Sequence, residues 1–234
     1  MGATEGELES ARVARILRED IVLGRRAPGT KLVERDIAAE LQVSRLPVRE
    51  AIRMLVSEGV VVTRPRKWAV VREYSLEDVR NFSEVRLMLE TALFVLAAER
   101  HDDETLAHLH EIVEREETAA RDGDVLAARS AAAAFHQYMV VLAGNDVLAE
   151  LTETFVTRLR WIFGTYEDAG AMAASHRELF DAIASREVPE VRRLVEAHLE
   201  AGREATERRF LERMSRRSAD PQTDDGDEDV AVGD

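Results

Sequence analysis

The feature that most constrains the fold is a helical periodicity that runs along almost the whole chain and is interrupted once. Apolar residues recur at helical spacing from Ser10 onward, but the stretch VVVTRPRKWAVVRE (60–73) has two β-branched runs around a basic turn. Two such runs separated by a short turn are typical of a β-hairpin. The sequence therefore predicts a mainly α protein with one small hairpin near its N-terminal end.

Three helical segments precede this hairpin. The first runs from about Ser10 through ARVARILREDIVLG, and VERDIAAELQ and SRLPVREAIRMLVSEG form two short helices separated by a sharp turn. Ser44 is a good N-cap for the third helix, and Gly59 follows its last turn, where glycine commonly ends a helix. The order of helix, helix–turn–helix and hairpin predicts a winged helix–turn–helix domain over residues 8–74.

The chain beyond this domain is patterned as helices only. Short polar connectors separate long amphipathic segments, and this arrangement is typical of an antiparallel bundle, predicted here over residues 75–215. The predicted helices cover 76–100, 103–121, 124–143, 146–166, 171–186 and 188–215. A tail over 216–234, ending ADPQTDDGDEDVAVGD, has seven acids and no base after residue 218, so we expect it to be disordered.

The two predicted domains differ in charge. Residues 11–72 contain 14 lysines and arginines against 7 acids, whereas residues 73–234 contain 18 against 36. This asymmetry indicates that the first domain alone meets a polyanion, although chance clustering of arginines is an alternative. The chain has no cysteine, which excludes disulfides and thiolate sites. With neither an apolar signal segment nor a membrane-spanning run, we expect a cytoplasmic protein without membrane contact.

The third helix places two arginines where DNA would be read. In a winged helix–turn–helix the N-terminal end of this helix enters the major groove. Arg45 and Arg49 lie one turn apart, and their guanidinium groups suit phosphate or the edge of guanine. In the predicted wing, Arg66 and Lys67 add charge at the height of the DNA backbone. The alternative is that the helix arginines merely pair with Glu40 and Glu50.

Three of the six histidines lie in apolar patterns of separate helices. They are His136, His176 and His198, whereas His101, His108 and His110 lie on or beside charged stretches that we expect to be exposed. Most such histidines are core residues, but three from different helices can converge in a bundle and bind a divalent metal. Spacing alone leaves both interpretations open.

The N-terminal motif resembles the DNA-binding signature of GntR-type regulators. The residues that carry the resemblance are APGTKLVERDIAAELQVSRLPVREAIRMLVSEGVV, with Gln42 in place of a usual glycine. The resemblance implies a homodimer that binds a near-palindromic double-stranded operator. The contacts that it implies are from Arg35, Ser44, Arg45 and Arg49, with Leu46 and Pro47 beside the groove.

The second domain resembles the all-helical FCD effector domain of the FadR subfamily, and its six helices are closer to the VanR-like branch. EVRLMLETALFVLAAER, FHQYMVVLAGNDVLAEL, SHRELFDAI and EAHL carry this resemblance. It implies that His136, His176 and His198 bind Zn, Ni or Mn, and that the metal holds a carboxylate-bearing effector. The family's aspartate, four residues before the first histidine, is Ala132 here. Arg86 is the implied anchor for the effector, unless it pairs with Glu90.

The leading hypothesis is therefore a DNA-binding transcription regulator without catalytic activity, whose mode, repression or activation, the sequence leaves open. A metal-dependent enzyme using the three histidines is the alternative, but the chain has no His-Glu-x-x-His motif and no Gly-rich phosphate loop. A protein-interaction module with the acidic tail as its docking arm is a third interpretation.

Overall fold

The computed structural model describes residues 8–63, 68–164, 166 and 168–219. These residues form a winged helix–turn–helix followed by a helical bundle, so the predicted fold class is confirmed. The N-terminal domain contains α1 (Glu9–Val22), β1 (Lys31–Leu32), α2 (Glu34–Leu41), α3 (Arg45–Ser57), β2 (Val61–Thr63) and β3 (Ala69–Val71). The bundle contains α4 (Leu76–Arg100), α5 (Asp103–Asp122), α6 (Val125–Ala143), α7 (Asp146–Phe163), α8 (Ala169–Ala184) and α9 (Val188–Ala219).

The sheet has one more strand than the predicted hairpin. Its strand order is β1-β3-β2, and both neighbouring pairs are antiparallel. The additional strand β1 is only two residues long, which is too short for a period to be read in the sequence. It pairs with β3 and buries Leu32 in the domain core. The wing residues Arg66 and Lys67 lie outside the described residues.

The core of the N-terminal domain forms where the apolar face of α1 packs on α3. Val13, Leu17 and Ile21 are fully buried on α1, and Val48 and Leu55 are fully buried on α3. Their spacing of four and seven residues puts each set on one side of its helix. This packing leaves the opposite face of α3 in solvent, where DNA can reach it.

Gly59 follows the end of α3, at the point where the two domains contact each other. Its φ of +77° lies in the left-handed region that glycine adopts without strain. A Cβ atom at this position would also lie 3.1 Å from the side chain of Arg158 on α7. Glycine is therefore required here both by the backbone and by the close approach of α7.

The bundle core is apolar but encloses several polar groups. Phe94, Phe135, Met139, Leu179 and Ile183 are among its most deeply buried side chains. Buried polar residues of the bundle, which need partners to be tolerated there, include Arg86, Glu90, Glu116, His176 and His198. The last helix, α9, extends four residues beyond the predicted end, and the rest of the predicted acidic tail, 220–234, lies outside the described residues.

By length and composition alone, α6 is apolar enough to cross a membrane. The same helix carries Arg129 and His136, and its Phe135 and Met139 are fully buried against the other helices. A core helix of a bundle passes the same test, so this finding is weak evidence for a membrane span.

Candidate functional site

The N-terminal end of α3 presents its polar side chains to solvent. The side chains of Arg45 and Arg49 are 64% and 48% exposed, and Leu46 and Ser44 are exposed beside them. The Ser44 hydroxyl makes no capping hydrogen bond to the helix, so it is available to another acceptor or donor. Pro47 lies half-buried in the first turn, where its missing N–H breaks no helical hydrogen bond. The structure therefore brings these predicted residues together on one surface.

A single carboxylate holds the two arginines of α3. The Nε and Nη2 atoms of Arg49 each donate to Glu34 at 2.9 Å, and Arg45 Nη2 donates to the same carboxylate at 3.4 Å. The hydrogen bonds from Arg49 lower the pKa of Glu34 below its ordinary value. Glu34, in the first turn of α2, was not anticipated from the sequence, where Glu40 and Glu50 were the alternative partners. Glu40 instead accepts from Arg26.

Arg35 is placed differently from the α3 arginines. Its side chain is 81% exposed on α2 and, among the residues that the structure describes, donates only to its neighbour Asp36, at 2.9 Å. An arginine so exposed, with its charge only partly compensated, reaches a phosphate without losing buried contacts. It therefore extends the basic surface from α3 onto the start of α2.

The three predicted histidines converge inside the bundle. His136 Nε2, on α6, lies 3.3 Å from His176 Nε2 on α8 and 3.3 Å from His198 Nε2 on α9. All three ligand atoms lie within 4.8 Å of one another. Two nitrogens bound to one metal at about 2.0–2.1 Å and a tetrahedral angle would lie about 3.3 Å apart. The spacing of the rings therefore fits a bound divalent ion.

The outer nitrogens of the three rings have their own partners. His176 Nδ1 lies 2.7 Å from Glu116 on α5, His136 Nδ1 lies 2.8 Å from Glu90 on α4, and Ser175 lies 2.9 Å from His198 Nδ1. At His176 the Glu116 carboxyl can accept from Nδ1, which leaves the Nε2 lone pair free. The contact between Glu90 and His136 Nδ1 is short but lacks hydrogen-bond geometry. The Nε2 atoms of the three rings face one another, an arrangement that a cation between them would stabilise.

Burial keeps the His176 and His198 rings uncharged and therefore able to bind a metal. Burial, together with the neighbouring histidines, lowers the pKa of His176 well below its ordinary value and that of His198 to about 3. Burial also raises the pKa of Glu116 to about 8. Burial disfavours ionised Glu90 as well, but the charges of Arg86 and His136 outweigh it and lower the pKa of Glu90.

Ala132 occupies the position of the family's aspartate. This residue lies one turn before His136 on α6 and is 5% exposed. Glu90 and Glu116 contact Nδ1 atoms, on the outside of the histidine group, and so do not replace the missing carboxylate. Among the described residues, three histidine nitrogens thus form the candidate metal group. A metal there would need further ligands from water or from an effector.

A cavity of about 360 Å³ adjoins the histidines, between α4, α6, α7 and the start of α8. His136 and Ala132 form part of its wall. Arg86, the predicted effector anchor, also lines it, but is 9% exposed and donates from Nε to Glu90 at 2.7 Å. Its charge is therefore already compensated, as in the alternative that the sequence left open.

Other polar side chains of the cavity were missed in the sequence. Besides Gln137, Thr152 and Glu153, they are Arg129 on α6, Arg160 on α7 and Tyr166 between α7 and α8. Arg129 lies seven residues before His136, so helical spacing puts both on the same side of α6. That spacing was the available signal for Arg129, whereas no pattern pointed to the other two.

Comparison with known proteins finds two family matches along the chain. Residues 9–71 match the family described as bacterial regulatory proteins, gntR family, and residues 81–201 match the FCD domain. The chain is 28% identical over 193 residues to the HTH-type transcriptional repressor RspR of Escherichia coli, covering 81% of this chain and 85% of that protein.

Two solved structures are also similar. A GntR regulator from Rhodococcus sp. RHA1 has a TM-score of 0.71 and 27% identity, over 87% of this chain and 97% of the other. McbR/YncC of E. coli has a TM-score of 0.76 at 20% identity, over 87% and 99%, and this second likeness concerns the fold alone.

Proposed function

Since the chain belongs to the gntR family of bacterial regulatory proteins and carries an FCD domain, we propose that this DNA-binding transcription regulator is a cytoplasmic homodimer controlled by a small effector. Its N-terminal domain, residues 8–74, binds one half of a near-palindromic operator. Residues 75–215 bind the effector and hold the dimer together, and the acidic tail is dispensable for both.

The exposed end of α3 supports the DNA contact. Arg45 and Arg49 are held side by side by Glu34, so their guanidinium groups are already oriented. On docking, phosphate or guanine oxygens replace the Glu34 carboxylate as the acceptor. Ser44 and the amides at the N-terminal end of α3 bind the neighbouring phosphate.

The histidine group and its cavity support the effector site. His136, His176 and His198 would hold the metal, which supplies a Lewis-acidic position for an anionic oxygen. Glu116 and Glu90 orient the rings from behind, and Ala132 leaves the space of the absent aspartate to the effector. The surrounding apolar walls keep bulk water from the anion, so its interaction with cationic groups is strengthened.

One observation carries the proposal that the effector controls DNA binding: α7 lies between the cavity and the DNA-binding domain. One side of α7 lines the cavity with Val156, Leu159 and Arg160. From its other side Thr157 donates to Glu58 at 3.1 Å, and Trp161 packs against the N-terminal core. A shift of α7 on effector binding therefore moves the surface against which the DNA-binding domain packs.

Apolar side chains left exposed on the bundle support the dimer. Leu87 and Met88 on α4 are 41% and 67% exposed, and Val147 and Leu151 lie one turn apart on α7 at 67% and 46%. Large apolar side chains clustered at a surface commonly mark a protein interface. A second copy of the chain is the partner that a near-palindromic operator requires.

The test is duplex binding at fixed salt concentration by the full chain and by the variant Arg45→Ala/Arg49→Ala. A duplex from upstream of the coding region should bind, and the variant should bind it about 100-fold more weakly or worse. Arg193→Ala, which removes an exposed arginine of α9 paired with Glu190, should leave affinity unchanged. Equal affinity of the double variant and the unaltered chain would contradict the proposed docking.

A further inference from the structure

Two polar atoms remain without partners at the end of the cavity formed by the start of α6. Arg129 Nε and the Tyr166 hydroxyl are both buried from solvent and, within the described part of the chain, form no hydrogen bond. The Nη2 atom of Arg129 donates to the backbone carbonyl of Tyr166 at 3.2 Å, which holds the guanidinium in place beside the tyrosine. Buried donors without acceptors are uncommon in folded proteins, because the lost hydration is not replaced. An acceptor from a ligand would satisfy both.

The charged side chains around the cavity indicate whether that ligand is an anion or a cation. Arg86 is neutralised by Glu90. Arg160, half-buried in the wall formed by α7, has no ion pair or hydrogen bond from its guanidinium to any other described residue. Arg129 likewise has no carboxylate beside it among the described residues. Glu153 also lines the cavity, seven residues before Arg160 on α7, so three arginines of the wall face two glutamates and one positive charge remains. An anionic oxygen is the acceptor that would satisfy both Arg129 Nε and the Tyr166 hydroxyl.

This cationic end is separate from the histidine group. Arg129 and His136 lie seven residues apart on the same side of α6, a rise of about 10 Å along the helix axis. Between them the wall is formed by Ala132 and Ala133, which offer no polar side chain. Across the cavity, Phe163 and Met172 add apolar surface. The cavity therefore has two polar regions with an apolar stretch of α6 between them.

We propose that the effector is a dicarboxylate, with one acid group at the histidine-bound metal and the other at Arg129, Arg160 and Tyr166. The separation along α6 suits a linear chain of roughly six to eight carbons. Tyr166 donates its hydroxyl hydrogen to the second carboxylate, and the two arginines supply the opposing charge. This inference rests on the proposed function, because it assumes that the cavity is the effector site.

The decisive comparison is between dicarboxylates and monocarboxylates of the same length. Calorimetry on the full chain with Zn²⁺ would use adipate and suberate against hexanoate and octanoate. We expect at least one dicarboxylate to bind about 10-fold more tightly than its monocarboxylate partner, since only the dicarboxylate satisfies the buried donors. Equal affinities within both pairs, or no binding of either dicarboxylate, would overturn the inference.

Two variants test which residues cause the preference for a dicarboxylate. Tyr166→Phe removes only the hydroxyl, and Arg129→Met removes the charge while keeping an unbranched chain. Each should lower dicarboxylate affinity towards that of the monocarboxylate, without altering monocarboxylate affinity. Arg193→Met on the exposed side of α9 is the control and should keep the full preference. A preference that persists in both cavity variants would place the second acid group elsewhere and refute the assignment.

Duplex binding by the same samples separates this inference from the regulator proposal. A chain that binds DNA but shows no dicarboxylate preference loses only the inference. A chain with the preference but without sequence-specific DNA binding keeps the ligand site and loses the regulator proposal.

Discussion

The start of α3 and the histidine group in the bundle bring polar side chains together in opposite ways. Arg45 and Arg49 are exposed, charged and paired with one carboxylate on the surface. His176 and His198 are buried and neutral, and their Nε2 atoms face the third ring without an intervening carboxylate. The first group has a partner that DNA can replace, whereas the second has a gap that a ligand can fill.

This difference determines how each site can respond. Exchanging Glu34 for phosphate costs little, because the arginines are solvated before and after and surface ion pairs are weak. A ligand that binds between the histidines occupies a buried site. Water screens its interactions poorly there, and the neighbouring helices are closely packed. We therefore expect substitutions in the buried group to have larger effects on its ligand than a change of Glu34 has on DNA.

The largest effect is expected from removing one of the three nitrogens. His136→Ala should weaken Zn²⁺ binding by more than about 100-fold, because losing a direct ligand costs more than losing an outer contact. Titration calorimetry and elemental analysis after dialysis would measure it. His108→Ala, which removes an exposed histidine of α5, is the matched control. Equal zinc content in the two variants would show that the histidines are core residues only.

The second-largest effect is expected from changing Glu116, whose carboxyl lies beside Nδ1 of the buried His176 ring. Glu116→Gln replaces the carboxyl that lies 2.7 Å from His176 Nδ1 with an amide and should weaken Zn²⁺ binding about 10-fold to 100-fold. The control is Glu117→Gln, the neighbouring residue, which pairs with Arg177 away from the histidines. If both variants bind zinc as tightly as the unaltered chain, Glu116 has no role in orienting the ring.

A gain is expected at Ala132. Ala132→Asp puts a carboxylate one turn before His136, where it adds a charged ligand and should tighten Zn²⁺ binding by about 10-fold. Ala133→Asp places the same group about 100° further around α6 and should give no such gain. Tightening by both variants alike would point to a general effect of negative charge, not to a fourth ligand.

The smallest effect is expected at the exposed site. Glu34→Gln removes a negative charge beside the DNA and should strengthen duplex binding by only about twofold to fivefold. Fluorescence anisotropy at fixed salt would measure it, with Glu190→Gln, from another surface pair, as the control. A large loss of affinity in Glu34→Gln would instead mean that this carboxylate is needed to position the arginines.

The sequence predicted the exposed site better than the buried one for a physical reason. Arg45 and Arg49 follow from a local motif, since one helix positions both. His136, His176 and His198 were found because each lies in an apolar pattern, but only packing shows which atoms meet. Glu34 meets Arg49 across 15 residues of sequence, and no local period marks such a pair.

The same limit explains the errors elsewhere. His101 was expected to be exposed beside a charged stretch, but it is 7% exposed, and its Nε2 lies 3.1 Å from the carbonyl of Ile183 on α8. Strand β1 was not predicted, because the residues of β3 with which it pairs lie almost 40 residues away in sequence. In both cases a contact distant in the sequence decides the local environment.

The measurement that tests the central claim most directly is the response of DNA affinity to the ligand. The dissociation constant of the full chain for its upstream duplex would be measured in Zn²⁺ with and without adipate or suberate, at constant ionic strength. Since α7 contacts both the cavity and the DNA-binding domain, we expect at least one of them to change that constant by about fivefold or more. An unchanged constant, in samples where calorimetry shows that both zinc and the dicarboxylate are bound, would contradict the account.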